Sequence, residues 1–318
     1  MENIKTVVIT GGTGSLGKEL TRQLLKTDIK RIVIASRDEM KQDEMAKDFN
    51  SDRLRFFEAD VRDKERLQRA FEGADIIIHA AALKIVPKCE YNPFEAVKTN
   101  IIGSQNVIDV AIDKKVKKVM MVSTDKAVQS LNLYGATKAC AEKLFIAGNN
   151  YASGSGTKLS VTRYGNVVGS RGSVIPFFKK LAATGALPIT DARMTRFWIT
   201  LPNAAAFILR CIDQMRGGEI FIPKIPSMKV IDLAEAVAPN CKKQIVGIRP
   251  GEKIHELLLT PEEAARTIDG DFCYIVTPEF SWWTKDQIKG PAVPEGFEYS
   301  SGNNSEWLTI EQLKGLIS

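Results

Sequence analysis

Short apolar, β-branched runs alternate with amphipathic stretches through the first half of this chain. Thr6 to Thr10, Arg31 to Ala35, Arg55 to Ala59, Ala74 to Ala82, Lys118 to Val122 and Leu159 to Thr162 each have the length and composition of a buried strand. Between them, Leu16 to Leu25 and Arg62 to Phe71 repeat apolar positions at helical spacing, and so does the stretch around Asn100. Such alternation predicts an α/β fold with a doubly wound parallel sheet. After Tyr164 the pattern loosens at Gly165, Gly169, Gly172, Pro176 and Gly185, and the chain is expected to leave the sheet there. Phe207 to Met215 predicts a returning helix and Glu219 to Ile222 a strand. From Ile231 the pattern gives a helix, a loop at Arg249 to Lys253, a second helix carrying His255, and a tail with Trp282, Trp283 and Trp307. The expected organisation is one domain over 1–165 with a return segment at about 193–224, and a smaller C-terminal α/β lobe from 166–192 and 225–318.

The turn after the first strand narrows the reading. Gly11, Gly12, Thr13, Gly14, Ser15, Leu16 and Gly17 lie between a strand and a helix. Glycines at this spacing allow a tight turn, close approach of backbone to a pyrophosphate and close helix packing, while the helix start offers N–H groups to the anion. The first domain is therefore expected to be Rossmann-like and to bind a dinucleotide. After the second strand an acidic residue would accept the ribose hydroxyls of NAD; Ser36 and Arg37 stand there instead. A hydroxyl and a guanidinium suit a ribose phosphate, which favours NADP, with Lys41 a further contact at that edge; Arg37 as a solvated surface charge, and Asp38 or Glu39 reaching a ribose, are the alternatives. Asp60 and Val61, after the third strand, are placed to read the adenine edge, although Asp60 serves equally well as the N-cap of the next helix. Ala80, Ala81 and Ala82 close the fourth apolar run as a turn, and Lys84 follows it.

The chemistry-bearing residues come next. Lys118 to Val122 ends in Ser123, Thr124, Asp125 and Lys126, and Tyr134 precedes Lys138 by one helical turn. Residues four apart share a helix face, so an ammonium can sit beside the phenol and favour the phenolate. A bare Y-x-x-x-K is common. Here it follows hydroxyls at the carboxyl end of a strand, where open α/β sheets bind ligands.

Composition excludes several alternatives. The chain has 318 residues, 44% of them hydrophobic, and a net charge of +6 spread without a dense basic block, which suits anionic small molecules and not nucleic acid. The five cysteines, at 89, 140, 211, 241 and 273, have no C-x-x-C spacing and are expected reduced and buried. His79 and His255 lack metal-ligand spacing, so no metal is expected. With neither a signal peptide nor a run of about twenty apolar residues, the expected location is the cytoplasm, without membrane contact.

Thr10 to Gly17, Ala80 to Lys84, Pro87 to Pro93, Ser123 to Ala127, Tyr164 to Arg171, Thr195 to Thr200 and Gly247 to Lys253 together resemble the extended short-chain dehydrogenase/reductase superfamily. Within it the chain looks like the UDP-N-acetylglucosamine 4,6-dehydratases, and most like the soluble C5-inverting members of pseudaminic acid synthesis for flagellin and surface glycans. The resemblance covers nearly the whole chain. It implies an NADP-dependent lyase that oxidises carbon 4, eliminates water across carbons 5 and 6, and returns hydride to carbon 6. It assigns Tyr134 and Lys138 to carbon 4, Lys126 to the proton of carbon 5, Asp125 to the departing hydroxyl, and Thr124 to the reacting hydroxyl. It makes Ala80, Ala81, Ala82 and Lys84 cofactor contacts and places Lys84 near the sugar as well. It puts Arg249 on the diphosphate and Glu252 on the uridine ribose, with Arg193 adding to that anionic pocket; Asn166, counted also among the cofactor contacts, and Arg171 read as substrate-lobe contacts. As a base, Lys126 needs a lowered pKa. A homo-oligomer, dimer or hexamer, is implied too. The remaining readings are a nucleotide-sugar epimerase, a dehydratase that also epimerises in capsule synthesis, and a cofactor-binding regulator without chemistry.

Overall fold

In the computed structural model, which describes residues 4–169, 174–283 and 288–317, the first half of the chain forms the alternating pattern read above. Strands β1 (Thr6–Thr10), β2 (Arg31–Ser36), β3 (Leu54–Glu58), β4 (Ile76–His79), β5 (Lys118–Thr124) and β6 (Lys158–Tyr164) pair in parallel. Helices α1 (Ser15–Leu24), α2 (Glu39–Phe49), α3 (Lys64–Ala70), α4 (Val86–Tyr91), α5 (Pro93–Val97), α6 (Gly103–Asp113) and α7 (Leu133–Gly148) connect them. A π-helical turn, Lys98–Ile102, joins α5 to α6. β1 lies between β2 and β4, so the strand order reverses there, directly under the glycine turn. That reversal opens a crevice at the carboxyl ends of the strands.

The second half holds β7 (Asn166–Val168), α8 (Val174–Leu181), β8 (Ala186–Ile189), β9 (Thr195–Thr200), α9 (Leu201–Gln214), β10 (Ile220–Pro223), β11 (Ser227–Lys229), α10 (Val230–Val237) and β12 (Lys242–Ile245). It continues with β13 (Leu257–Leu259), α11 (Pro261–Ala264), β14 (Thr267–Asp269), β15 (Cys273–Val276), β16 (Tyr299–Ser300) and α12 (Ile310–Ile317). Among the described residues the main sheet runs β14-β15-β10-β6-β5-β4-β1-β2-β3, while β11-β9-β7 form a small second sheet. A hydrophobic core lines the main sheet, and a separate one gathers Phe178, Leu187, Trp198 and Leu233 in the second lobe.

Several expectations change. Residues 267–276 belong to the main sheet, because β15 pairs antiparallel with β10 and buries Cys273, Ile275 and Val276 against it. His255 lies in a turn and not on a helix, since β13 begins two residues later. Asp60 does not cap α3; Asp63 does, accepting from the Arg66 amide at 2.9 Å. All five cysteines are free, but Cys140 is exposed and Cys241 half-buried.

Candidate active site

A cleft of about 1000 Å³ follows the carboxyl ends of the parallel strands, at the upper end of the usual size for ligand sites. At its β1 end no side chain caps α1 at Gly14, and Gly14, Ser15 and Leu16 line the cleft, so the helix turns its positive end toward it. Gly11 has φ +67°, and a Cβ there would meet Ala81 Cα at 2.8 Å. Gly12 does not line the cleft; it lets Gly17 pack, whose Cβ would fall 2.5 Å from Gly12 Cα. An uncapped helix start above a side-chain-free turn fits a pyrophosphate.

Next to it, Ser36, Arg37, Asp38, Lys41 and Val61 line the cleft, as do Thr13, Ala80, Ala81, Ala82 and Lys84. Asp38 is committed to capping α2, accepting from the Lys41 amide at 3.0 Å, and it pairs with the Lys41 ammonium. The Ser36 hydroxyl accepts from Gln42 at 3.0 Å. Asp60 is outside the lining; it pairs with Arg62 at 2.6 Å and stands 3.6 Å from Arg37, which keeps half of its side-chain surface exposed.

The other end is built by β5 and α7. Thr124 ends β5, and its hydroxyl donates to Asp125 Oδ1 at 2.9 Å. A single turn of 3-10 helix, Asp125–Ala127, then places Lys126 in the cleft wall. α7 docks on this turn because residue 135 is glycine: a Cβ there would overlap the Lys126 carbonyl oxygen. Asn132 caps α7, accepting from the Gly135 amide at 2.9 Å. Tyr134 and Lys138 then face the cleft together, 8% and 2% exposed. Asn100 holds the loop after β4 and α7 in register through Leu83 and Thr137.

Electrostatics refine the roles. Burial pushes Tyr134 up to about 12, against Lys126 and the Thr124 hydroxyl, which both favour the phenolate. Burial outweighs both. Burial also lowers Lys138 to about 8. Burial raises Asp125 and the Glu256 carboxylate adds to that, against the Lys126 ammonium, which favours the carboxylate. For Lys126 burial favours the neutral amine, but Asp125 and Glu256 together outweigh it and raise the group. Its ammonium is 3.1 Å from Asp125 Oδ1 and 3.5 Å from Glu256 Oε1. The lowered pKa expected of Lys126 is therefore corrected to a raised one.

The second lobe contributes Asn166, whose buried Oδ1 has no partner, and Trp198, whose buried Nε1 has none either. Arg193 is not at the cleft: it pairs with Asp191 at 2.8 Å with 69% of its side chain exposed. Arg249 is exposed and Glu252 half-buried, both outside the cleft lining, though Glu252 Oε2 is buried without a partner. Arg171 lies outside the described residues. Among the described residues no His, Cys, Asp and Glu side chains cluster as a metal site. No helix there is long and apolar enough to cross a membrane.

Residues 7–278 match the family model described as polysaccharide biosynthesis protein. The chain belongs to this family. A UDP-N-acetylglucosamine 4,6-dehydratase (inverting) of Campylobacter jejuni subsp. jejuni serotype O:2 is 52% identical over a 329-residue alignment, covering 100% of this chain and 98% of that one. A UDP-glucose 4-epimerase of Rickettsia rickettsii is 40% identical, covering 98% and 95%. Among solved structures, Pen from Bacillus thuringiensis superposes with a TM-score of 0.90 at 36% identity, covering 98% and 97%. DesIV, a dTDP-glucose 4,6-dehydratase from Streptomyces venezuelae with NAD and TYD bound, shares the fold with a TM-score of 0.70 at 23% identity, over 78% and 86%. The extended short-chain dehydrogenase/reductase architecture read from the motifs is the one observed.

Two residues of this family member escape a reading of the sequence. Trp198 reaches the cleft from β9, and only its place in the Thr195–Thr200 motif hints at it. Glu256 gave no signal, because it comes from the distant segment before β13.

Proposed function

We propose that the chain is an NADP-dependent, inverting UDP-N-acetylglucosamine 4,6-dehydratase, a hydro-lyase of the pseudaminic acid type. The observation that carries this reading is the convergence of Thr124, Lys126, Tyr134 and Lys138 on one cleft that also reaches the uncapped start of α1. The names of the relatives support the substrate and the reaction. Arg37, half-exposed beside the cofactor end, supports NADP over NAD.

When bound, the dinucleotide supplies a hydride acceptor that later serves as donor. Tyr134, in the phenolate form that Lys126 and the Thr124 hydroxyl favour, takes the proton of the hydroxyl at carbon 4. The resulting ketone acidifies the hydrogen on carbon 5. Lys126 removes that proton, and Asp125 gives its own to the hydroxyl leaving carbon 6 as water. The starting pair is Lys126 ammonium and Asp125 carboxylate at 3.1 Å, and transfer of one proton between them creates base and acid together. Reprotonation of carbon 5 on the opposite face inverts that centre, and the net reaction is loss of one water.

Incubation with UDP-N-acetylglucosamine and catalytic NADP in heavy water tests this. Mass spectrometry should show a product lighter by one water, less the deuterium gained at carbon 5, and proton NMR a deuterated, inverted carbon 5. An isomer of unchanged mass supports the epimerase reading instead, as the names of the Rickettsia relatives suggest.

A further inference from the structure

Glu256 is a buried carboxylate that no step above uses. It is 3% exposed, and its main chain is fixed by two hydrogen bonds with Ser301: its amide donates to Ser301 Oγ at 2.9 Å, and its carbonyl accepts from the Ser301 amide at 2.8 Å. Oε1 lies between two cations, Lys126 Nζ at 3.5 Å and Arg196 Nε at 3.6 Å, while Oε2 is buried with no partner. A buried carboxylate with one oxygen unsatisfied costs stability, so its position needs a reason.

The neighbouring contacts supply one. The segment leading to Glu256 grips the catalytic turn at two more points: the Gly251 carbonyl accepts from Asn132 Nδ2 at 2.9 Å, and the Lys253 ammonium donates to the Val128 carbonyl. Residues 251–256 of the second lobe therefore clasp residues 126–132 of the first. Glu256 is the acidic member of the clasp, and its Oε1 meets the same Lys126 amine that Asp125 holds. Lys126 keeps 27% of its side-chain surface exposed, so Asp125 alone would leave a four-carbon side chain free to swing into the cleft.

Building on the dehydratase reading, we propose that Glu256 is a positioning residue that fixes the Lys126 amine against Asp125 and sets the pH range in which that pair exchanges its proton. The charged and titratable groups facing the pair are Glu256 and Lys253 from the segment before β13, Arg196 from β9, and Tyr134 from α7. Among them Glu256 is the carboxylate. Its negative charge raises the proton affinity of both partners, in line with the directions found for each.

The test compares kcat and KM against pH for wild type, E256Q and E256D, with cofactor binding measured alongside. E256Q should lose roughly tenfold in kcat at the wild-type optimum with KM within about twofold. Its bell-shaped kcat profile should move to lower pH by about one unit on both limbs, because removing an anion at contact distance lowers the proton affinity of Asp125 and Lys126 alike. E256D keeps the charge but draws it back, and should give a smaller displacement in the same direction. If E256Q does not fold, E256D decides alone. Profiles that fall in height without moving would assign Glu256 a purely structural role and overturn the proposal. A wild-type enzyme that eliminates no water would overturn the dehydratase reading itself, and this inference with it.

Discussion

His79 is the last residue of β4 and is 1% exposed, with Nδ1 2.8 Å from Thr10 Oγ1 and Nε2 3.1 Å from Ser104 Oγ. Burial, helped by the Lys138 ammonium, lowers its pKa from 6.5 to about 3, so it stays neutral in the folded protein. The folded value lies below the unfolded one. Its contribution to stability is therefore complete above pH 6.5 and is lost as pH falls toward 3, in total on the order of a few kcal/mol. Thermal melts between pH 7 and 4 should show this decline in the wild type and a shallower one in His79→Gln. At this scale the sequence told much: Thr124, Lys126, Tyr134 and Lys138 reach one cleft from a motif read in one dimension. It could not tell the protonation state of Lys126, which depends on Glu256, a residue 130 positions away in the chain. Spacing reports local geometry, whereas charge at a buried site is set by whatever the fold brings beside it.

Among the elements, α7 shows how a helix is tied to its neighbours by polar groups. On its buried side lies Glu142, which pairs with Arg163 of β6 at 2.7 Å, and Arg163 in turn reaches Glu263 of α11 at 2.9 Å. Arg163 is 3% exposed and Glu142 also accepts from the Ser123 hydroxyl. Removing the guanidinium strands two carboxylates away from water. Arg163→Met is expected to cost about 3–5 kcal/mol, with the penalty shrinking as pH is lowered and the carboxylates take up protons. Denaturant titrations at pH 7.5 and 5 check both parts. The parallel strands were readable because each is a continuous apolar run bounded by turn signals, and helices such as α1 and α9 because of their periodicity. β14 and β15 were not. They are three and four residues long, and their pairing with β10 is a long-range contact that no local pattern encodes.

For the molecule as a whole, the cleft joins the large sheet to the second lobe: Gly11 and Tyr134 come from one, Asn166 and Trp198 from the other. A ligand that touches both should stabilise both. At a hundredfold excess over its Kd, a dinucleotide adds about 2.7 kcal/mol, which raises Tm by several degrees. NADPH should raise it more than NADH at equal concentration, and Arg37→Ala should narrow that difference. Equal shifts in the wild type would remove the case for Arg37 as the discriminating residue.

The late return of the chain to its main sheet has a consequence for biosynthesis. β10 shows a bare edge until residues 273–276 arrive to cover it, fifty residues after β10 ends. A nascent chain leaving the ribosome therefore carries an unprotected strand edge through most of the making of the second lobe, and that edge is an invitation to pair with another chain. Stalled or truncated products ending before residue 273 should accordingly be the aggregating species, which ties the solubility of the protein to completion of its last quarter.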